Sequence, residues 1–261
     1  MLLYGASGYT GRLVADGLCR RGLAPILAGR SPARLVPLAR RRGLEVRAFD
    51  LEDPRRIAAS LDGVAVVLHA AGPFADTAPP MLEACLRRGV HYADLSAEIG
   101  SIEAVRARDG EARARGVTLL PAAGHAVVTS DCLAAHVASR LPGAVRLRIA
   151  VGGLGPLSRG SLGALVAHAG EPPRVRRDGR LMDADSGPPR RFDFGAGPRP
   201  AVRVGWADLA TAPHSTGIGD VETWFDAIPS LRIGLGASRL FGDVLRQPPV
   251  RAWLAAWNDF L

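Results

Sequence analysis

The sequence predicts an α/β fold in which a doubly wound parallel sheet is followed by an α+β domain with a mixed or antiparallel sheet. Six apolar, strand-like runs alternate with helical patterns as far as Pro121, an order typical of parallel strands joined by crossover helices. Beyond Ala123 the alternation stops, and residues 172–205 are dense in Pro, Gly and Arg. The 261 residues leave room for two domains of about 100–150 residues each. We expect these domains at 1–123 and 124–261.

The composition excludes several classes of protein. Apolar residues make up 48% of the chain, too many for a disordered protein, and no apolar run reaches the ~20 residues of a membrane helix. The first strand begins with the sequence itself and leaves no room for a targeting segment, so we expect a cytoplasmic protein. The cysteines Cys19, Cys85 and Cys132 lack metal-ligand spacing, and we expect no metal site.

The net charge of +8 does not indicate a nucleic-acid partner. The 33 basic residues are all arginine and are scattered, and no basic face with interleaved aromatic residues emerges. The lack of lysine has chemical consequences. It excludes Schiff-base chemistry on a lysine, and also the Tyr-x-x-x-Lys pair of short-chain dehydrogenases.

A glycine-rich turn near the N terminus indicates the function of the first domain. An apolar run enters this turn and a helical pattern leaves it. In a dinucleotide site the first glycine allows a tight turn, the second lets pyrophosphate approach the backbone, and the third allows close helix–strand packing. An ordinary strand-to-helix turn is the alternative, but the alternations that follow favour a Rossmann domain. The residues expected to bind the cofactor here are Gly5, Ser7, Gly8, Tyr9, Thr10 and Gly11.

The second strand, residues 24–28, ends where a Rossmann domain contacts the adenosine ribose. An acidic residue at this point would bind the 2′-hydroxyl of NAD, whereas an arginine accommodates the 2′-phosphate of NADP. Arg30 and Ser31 therefore favour NADP, the alternative being a solvated arginine in an arginine-rich chain. Pro32 begins the next helix, for which Ser31 is the expected N-cap.

The ends of the third and fourth strands complete the expected cofactor site. Asp50 closes the third strand, residues 44–49, beside the adenine pocket, although a capping role in the loop before the Pro54 helix is nearly as plausible. The fourth strand, residues 64–69, is apolar throughout, as in a sheet covered on both faces. Small residues follow it and would let the nicotinamide half of the cofactor approach the backbone at Ala71, Gly72 and Pro73.

The remaining pattern predicts two more strands of the first domain and a mixed second domain. Strands are expected at 90–95 and 117–121, with a helix through residues 102–112 between them. Residues 124–131 are expected to form a loop before a helix capped by Ser130 or Asp131. Strands follow at 145–151, 173–181, 202–204 and 221–225, with a helix at 161–168 and loops at 205–209 and 213–218. From residue 228 the chain is predicted to be mainly helical.

Taken together, these motifs resemble the saccharopine dehydrogenase-like family, in its trans-acting enoyl reductase branch. The resemblance runs over most of the chain and implies a nicotinamide-dependent oxidoreductase with a Rossmann domain and an α+β substrate domain. The matching segments are Gly5-Ala6-Ser7-Gly8-Tyr9-Thr10-Gly11-Arg12-Leu13, Ala28-Gly29-Arg30-Ser31, Gly72-Pro73-Phe74, Ala84-Cys85, Gly89-Val90-His91-Tyr92-Ala93-Asp94-Leu95-Ser96-Ala97-Glu98, Ser130-Asp131, Gly205-Trp206-Ala207-Asp208 and His214-Ser215-Thr216-Gly217-Ile218.

Two features depart from the family pattern. The family commonly has Gly-Phe-Asp-x-x-Pro-x-Asp where this chain has Gly124-His125-Ala126-Val127-Val128-Thr129-Ser130-Asp131, so the aromatic residue, one acid and the proline are missing. Family members also usually continue well past a segment like residues 246–250, whereas this sequence stops at Leu261. Both departures bear on whether the chain keeps catalytic turnover.

Hydride transfer needs a group to manage the accompanying proton. The candidate catalytic residues are His125, Tyr92 and Glu98, with Asp94, Asp131 and His214 weaker. His125 is the most attractive because a loop imidazole with an ordinary pKa near 6.5 suits proton transfer at neutral pH. A structural histidine and, for Glu98 and Asp94, helix capping are the alternatives.

Three functions remain open from the sequence. The favoured one is an NADP-dependent oxidoreductase acting on a C=N, C=O or activated C=C bond of a small or carrier-bound substrate. The second is a nucleotide-binding sensor or scaffold without turnover. The third is acyl-phosphate or semialdehyde dehydrogenase chemistry, for which Cys132 would have to be the nucleophile. A homodimer is plausible because Trp253 and Trp257 lie in an apolar C-terminal stretch, the alternative being that these residues close the core.

Overall fold

The computed structural model describes residues 1–153, 171–185 and 187–227, together with 244, 247, 249 and 250. The chain divides into two compact units, Met1–Val128 and Thr129–Leu261, which we call unit 1 and unit 2. Across the described residues, every helix is too short or too polar to cross a membrane.

Unit 1 is built on a six-stranded parallel sheet with the order β3-β2-β1-β4-β5-β6. The chain runs outward from β1 to β3 and then returns to β4 on the other side of β1, which confirms the predicted doubly wound sheet. The strands are β1 (Leu2–Tyr4), β2 (Ile26–Gly29), β3 (Val46–Ala48), β4 (Val66–His69), β5 (His91–Asp94) and β6 (Leu119–Leu120). The helices are α1 (Tyr9–Arg20), α2 (Pro32–Arg40), α3 (Pro54–Ser60), α4 (Phe74–Arg88), α5 (Ile99–Arg106) and α6 (Asp109–Arg115).

Two hydrophobic clusters cover the two faces of this sheet. Successive residues of β1 go to different clusters, Leu2 joining Val67 in one and Leu3 joining Leu27 in the other. All four side chains are fully buried. Because neither face meets water, the central strands need apolar residues at every position, which explains their continuous apolar sequence.

The helix boundaries in unit 1 follow the expected capping chemistry in part. Ser31 occupies the N-cap of α2 as predicted, but its hydroxyl makes no capping hydrogen bond. At α3 it is Asp53 that caps the helix, its carboxylate accepting the Arg55 N–H at 2.8 Å. The single helix expected through residues 102–112 is two helices, α5 and α6.

Unit 2 contains the predicted mixed sheet. Its strand order is β10-β11-β12-β8-β9, all antiparallel, and β7 pairs in parallel with β12. The piece expected at 173–181 turns at Asp178 and Gly179, both with positive φ, and so forms a hairpin. The strands are β7 (Arg146–Val151), β8 (Arg174–Arg177), β9 (Arg180–Asp183), β10 (Arg190–Asp193), β11 (Pro198–Arg203) and β12 (Asp220–Asp226).

Two segments predicted as loops are helical. Helix α7 (His125–Arg140) begins where a loop was expected over 124–131, so Ser130 and Asp131 lie inside the helix and do not cap it. Helix α8 (Asp208–Thr216) covers 208–209 and 213–216 of the loops expected at 205–209 and 213–218, while residues 205–207 and 217–218 lie outside the helix as expected. Burial of one side of α8 outweighs the unfavourable Pro213 within it. The helices predicted at 161–168 and over most of 228–261 lie outside the described residues.

Asp208, the first residue of α8, is a fully buried carboxylate. Burial raises the pKa of Asp208 from 3.8 to about 6, and the charge of Asp131 adds to the rise while the Ser130 side chain opposes it. A raised carboxyl pKa means that folding favours the protonated carboxyl over the ionised carboxylate. Unit 2 is therefore stabilised below pH 4 and loses this contribution as pH rises through 6.

We expect Asp208→Asn to stabilise unit 2 by about 2–3 kcal/mol at pH 8 and to have little effect at pH 4, since the amide carries no charge to desolvate. Urea unfolding followed by tryptophan fluorescence measures this, because all four tryptophans lie in unit 2. Asp185→Asn removes an exposed carboxylate from the same unit and is the control. An equal gain at both pH values would show that burial of charge is not the cause.

Candidate functional site

The loops that leave the carboxyl ends of the strands of unit 1 form one edge of its sheet. The glycine-rich loop follows β1, and residues 70–73 follow the neighbouring β4. The Ala70 N–H, at the start of the second loop, donates to the carbonyl of Tyr4, the last residue of β1, at 2.8 Å. The chain changes direction across the sheet at this point, where open α/β sheets bind their ligands.

Packing explains two of the three glycines of the first loop. Gly5 has φ +86°, and a Cβ there would lie 2.8 Å from the Ala70 carbonyl carbon. A Cβ on Gly11 would lie 2.2 Å from the Gly5 oxygen. Gly8 differs, because its φ of −72° suits any residue and a Cβ there would meet only the Gly5 oxygen, at 3.3 Å. Space is therefore left open above Gly8.

The N terminus of α1 leaves backbone donors for an anion. Gly8 is the N-cap and no side chain caps the helix. The Arg12 N–H bonds to the Gly8 carbonyl at 3.0 Å. The N–H groups of Tyr9, Thr10 and Gly11, in the turn before it, have no partner within the helix. The first turn carries no acidic residue, so these donors and the helix dipole suit the pyrophosphate of a dinucleotide.

Arg30 and Ser31 are free to contact a ligand. Arg30 is exposed at the end of β2, and no hydrogen bond or ion pair involves it within the described part of the chain. The Ser31 hydroxyl is likewise not used as a cap. A guanidinium cation beside a hydroxyl group can bind the 2′-phosphate of NADP through a charge-assisted hydrogen bond and a second, neutral one.

Asp50 is engaged in its own turn. Its Oδ1 accepts the Glu52 N–H at 3.2 Å, and Oδ2 lies 3.6 Å from Arg56. Burial raises the pKa of the Tyr4 phenol to about 12. The charge of Arg30 opposes this rise, and the charge of Asp50 adds to it. Asp50 therefore lies at the same edge of the sheet as Arg30, and its carboxylate makes its contacts within its own loop.

The loop after β4 is held by two side chains that the sequence did not single out. The Ala71 carbonyl accepts hydrogen bonds from His69 Nε2 at 3.1 Å and from the Thr77 hydroxyl at 2.6 Å. Burial lowers the pKa of His69 to about 4, so the ring is neutral at physiological pH. Residues 71–73 thus present a fixed backbone at the place expected for nicotinamide. No local pattern marks Thr77, because its partner depends on the path of the loop.

Glu98 serves the start of α4. Its two carboxylate oxygens accept the N–H groups of Phe74, at 3.0 Å, and Ala75, at 2.8 Å. The Ser101 hydroxyl donates to the same carboxylate at 3.0 Å. These contacts favour the capping role that was the alternative to catalysis.

Tyr92 points into the core of unit 1. It is 1% exposed, and its hydroxyl donates to Asp94 at 3.0 Å. Burial and the neighbouring Asp94 raise the pKa of Tyr92 well above its ordinary value. A phenol so placed supports the fold of unit 1.

Asp94 connects the ends of β5 and β6. Its buried carboxylate accepts the Ser96 N–H and hydroxyl, at 2.9 and 2.6 Å, and the Ala122 N–H at 2.9 Å. Its carbonyl accepts the Ala123 N–H at 2.7 Å. Asp94 thereby fixes the segment that leads to His125, which is exposed in the first turn of α7.

The fold and this edge define a dinucleotide-binding protein. The comparison with known families makes the assignment specific: residues 1–120 match the model of the saccharopine dehydrogenase NADP binding domain. The first 120 residues are therefore a saccharopine dehydrogenase NADP-binding domain, and they are distantly homologous to trans-acting enoyl reductases.

Two curated relatives show how far the likeness extends. The trans-acting enoyl reductase of Mycobacterium leprae is 32% identical over 139 residues, which are 50% of this chain and 33% of the relative. That of Mycobacterium tuberculosis is 33% identical over 106 residues, 38% of this chain and 25% of the relative. The matched stretches thus span a quarter to a third of these relatives.

A solved structure supports the fold of the chain. The apo saccharopine dehydrogenase (L-Glu forming) of Saccharomyces cerevisiae superposes with a TM-score of 0.62 at 19% identity. The likeness covers 86% of this chain and 54% of that one. It shows the architecture, a Rossmann-like domain followed by a second domain with its own sheet.

Proposed function

We propose that the protein is an NADP-dependent oxidoreductase that transfers a hydride to or from a C=N, C=O or activated C=C bond of a small or carrier-bound substrate. The observation that carries this proposal is the N terminus of α1. It combines N–H donors that have no partner within the helix with an open space above Gly8, and Arg30 at the end of β2 has no hydrogen bond or ion pair among the described residues. The family of the first 120 residues supports the same cofactor.

The residues present fit this cofactor part by part. The N–H groups of the first turn of α1 would hold the pyrophosphate, with Arg30 and Ser31 on the 2′-phosphate. Asp50 would border the adenine side. Ala71, Gly72 and Pro73, held by His69 and Thr77, would support the nicotinamide half. The bound nicotinamide supplies or accepts the hydride, and the protein's task is to orient it and to manage a proton.

We assign the proton-transfer role to His125. It is exposed, and the backbone before it is fixed through Asp94. Tyr92 and Glu98 were expected as catalytic residues, but their contacts favour positioning roles, Tyr92 beneath Asp94 and Glu98 at the start of α4. Of the predicted catalytic residues, His125 alone keeps a side chain exposed at the surface of unit 1.

A second candidate function is an NADP(H) sensor or scaffold without turnover. It is favoured by the engagement of Tyr92 and Glu98 within the fold and by the altered segment at 124–131. Both candidates require nucleotide binding. They differ in whether NADPH is oxidised when imine, ketone or enoyl substrates are added, and His125→Asn would abolish that oxidation without changing nucleotide binding if the protein is an enzyme.

Arg30→Ala tests the cofactor assignment directly. We expect it to raise the Kd for NADPH about 10- to 100-fold, because charge-assisted hydrogen bonds to a phosphate are worth about 1.5–3 kcal/mol. NADH, which lacks the 2′-phosphate, should bind to the variant and the wild type alike. Titration followed by nicotinamide fluorescence measures both constants.

Arg40→Ala removes the same charge from the exposed last turn of α2 and is the matched control. It should leave both constants unchanged. Equal losses of NADPH affinity in the two variants would show that the effect comes from the overall charge of the protein. A wild-type protein that binds neither nucleotide would refute the proposed function.

A further inference from the structure

One face of the unit 2 sheet is rich in arginine. Residues on a strand alternate between faces, so Glu222 and Trp224 of β12 share one face. In the register of the sheet, Arg148 of β7 lies opposite Glu222 and Arg203 of β11 lies opposite Trp224. Paired residues on neighbouring strands point the same way. The face therefore gathers cations from separate strands around Glu222, while Asp220 and Asp226, further along the same face, pair with Arg146 and Arg199.

A pocket of about 250 Å³ opens on this face, which we call the arginine pocket. It is smaller than the pockets of drug-sized ligands, which run from roughly 300 Å³ upward, and so suits one charged group. Its lining consists of Arg148, Arg190, Arg203, Glu222, Trp224 and residues 187–189.

The charges of the pocket do not balance. Glu222 is 3% exposed and hydrogen bonds to Arg177, and its Oε2 lies 3.3 Å from Arg148 and 3.9 Å from Arg203. Burial acts to raise the pKa of Glu222, but Arg177, Arg203 and Arg148 outweigh it and hold the pKa below its ordinary value. The single carboxylate of Glu222 thus interacts with three guanidinium groups. Arg190 adds a fourth, and no carboxylate pairs with it in the part of the chain that the structure describes.

Arg203 has a buried donor to spare. Its Nη1 donates to the Asp185 carbonyl at 2.6 Å, and its guanidinium lies over the Trp224 ring, 4.9 Å from the centroid. Its Nε is buried and finds no acceptor among the described residues. Buried donors are nearly always paired in folded proteins, so this Nε is suited to an acceptor atom of a ligand.

We propose that the arginine pocket binds an oxyanion, the carboxylate or phosphate group of a small metabolite. A planar guanidinium fork matches such groups with two parallel hydrogen bonds, and Trp224 supplies an apolar wall beside it. The site lies wholly within unit 2. The proposal is therefore independent of nucleotide binding by unit 1.

Calorimetric titration of the full chain with inorganic phosphate and with succinate, at constant ionic strength, tests the proposal. We expect saturable binding of at least one of them, weakened at least tenfold in Arg203→Gln and in Arg190→Gln. Arg190 is exposed, so its replacement leaves the fold intact even where the replacement of Arg203 does not. Arg180→Gln changes the same charge on exposed β9, away from the pocket, and should bind normally.

Each outcome decides the matter. Binding of phosphate alone or of succinate alone names the group that the pocket prefers. Binding of neither overturns the proposal, as does an equal loss in Arg180→Gln. Phosphate binding that survives Arg190→Gln and disappears in Arg30→Ala would place the anion at the N terminus of α1 and would also overturn it.

Discussion

Gly11→Ala is expected to destabilise unit 1 by about 3 kcal/mol or more, although alanine is the better helix former by about 1 kcal/mol. The added methyl would lie 2.2 Å from the Gly5 oxygen and 2.8 Å from the Ala6 Cα. Both are backbone atoms, and they cannot move without separating α1 from β1. The steric cost therefore exceeds the gain in helix propensity, and urea unfolding followed by circular dichroism measures the difference.

Two further glycines of the same region separate packing from binding. Gly17→Ala, in the middle of α1, meets only the tips of Arg21 and Arg20 at 3.7 and 3.9 Å and should stabilise the unit slightly. Gly8→Ala should cost unit 1 no more than about 1 kcal/mol, because its methyl would meet one backbone atom, the Gly5 oxygen, at 3.3 Å. It should weaken NADPH binding at least tenfold, because the methyl lies where the pyrophosphate would approach the loop. A Gly11→Ala protein as stable as Gly17→Ala would contradict the close packing of α1 on β1.

Asp94→Ala should destabilise unit 1 by about 3–5 kcal/mol. The change leaves the Tyr92 hydroxyl and the Ser96 and Ala122 N–H groups without their acceptor in a buried region. We expect the melting temperature of unit 1 to fall by roughly 10–20 °C. Thermal denaturation followed by circular dichroism measures this, and tryptophan fluorescence follows unit 2 separately.

Asp94→Asn distinguishes hydrogen bonding from simple loss of volume. It keeps the oxygen that accepts from Ser96 and Ala122, so it should lose less than half as much stability. Glu52→Ala, at an exposed loop position, should change stability by no more than about 0.5 kcal/mol. If Asp94→Ala costs as little as Glu52→Ala, then the Asp94 carboxylate does not hold the ends of β5 and β6 together.

Sequence patterns were informative where the relevant contacts are local or periodic. The spacing of Gly5, Gly8 and Gly11 and the continuous apolar strands predicted the doubly wound sheet, because a sheet covered by helices buries both of its faces. The same patterns failed at α8. There an isolated proline and several turn-forming residues indicated loops, whereas burial of Leu209 and its neighbours made the segment helical.

The same distinction between local patterns and distant contacts applies to the candidate site. By itself the sequence determined the class of fold and the positions of the glycine-rich loop, Arg30 and the small residues after β4, since each follows from its place at the end of a strand. Only the tertiary structure decided what Tyr92, Asp94 and Glu98 do, and that Arg148, Arg190 and Arg203 meet around Glu222. The physical reason is that a side chain's burial and partners are set by residues distant in the chain, such as Phe74 for Glu98 and Ala122 for Asp94, and no local spacing records those contacts.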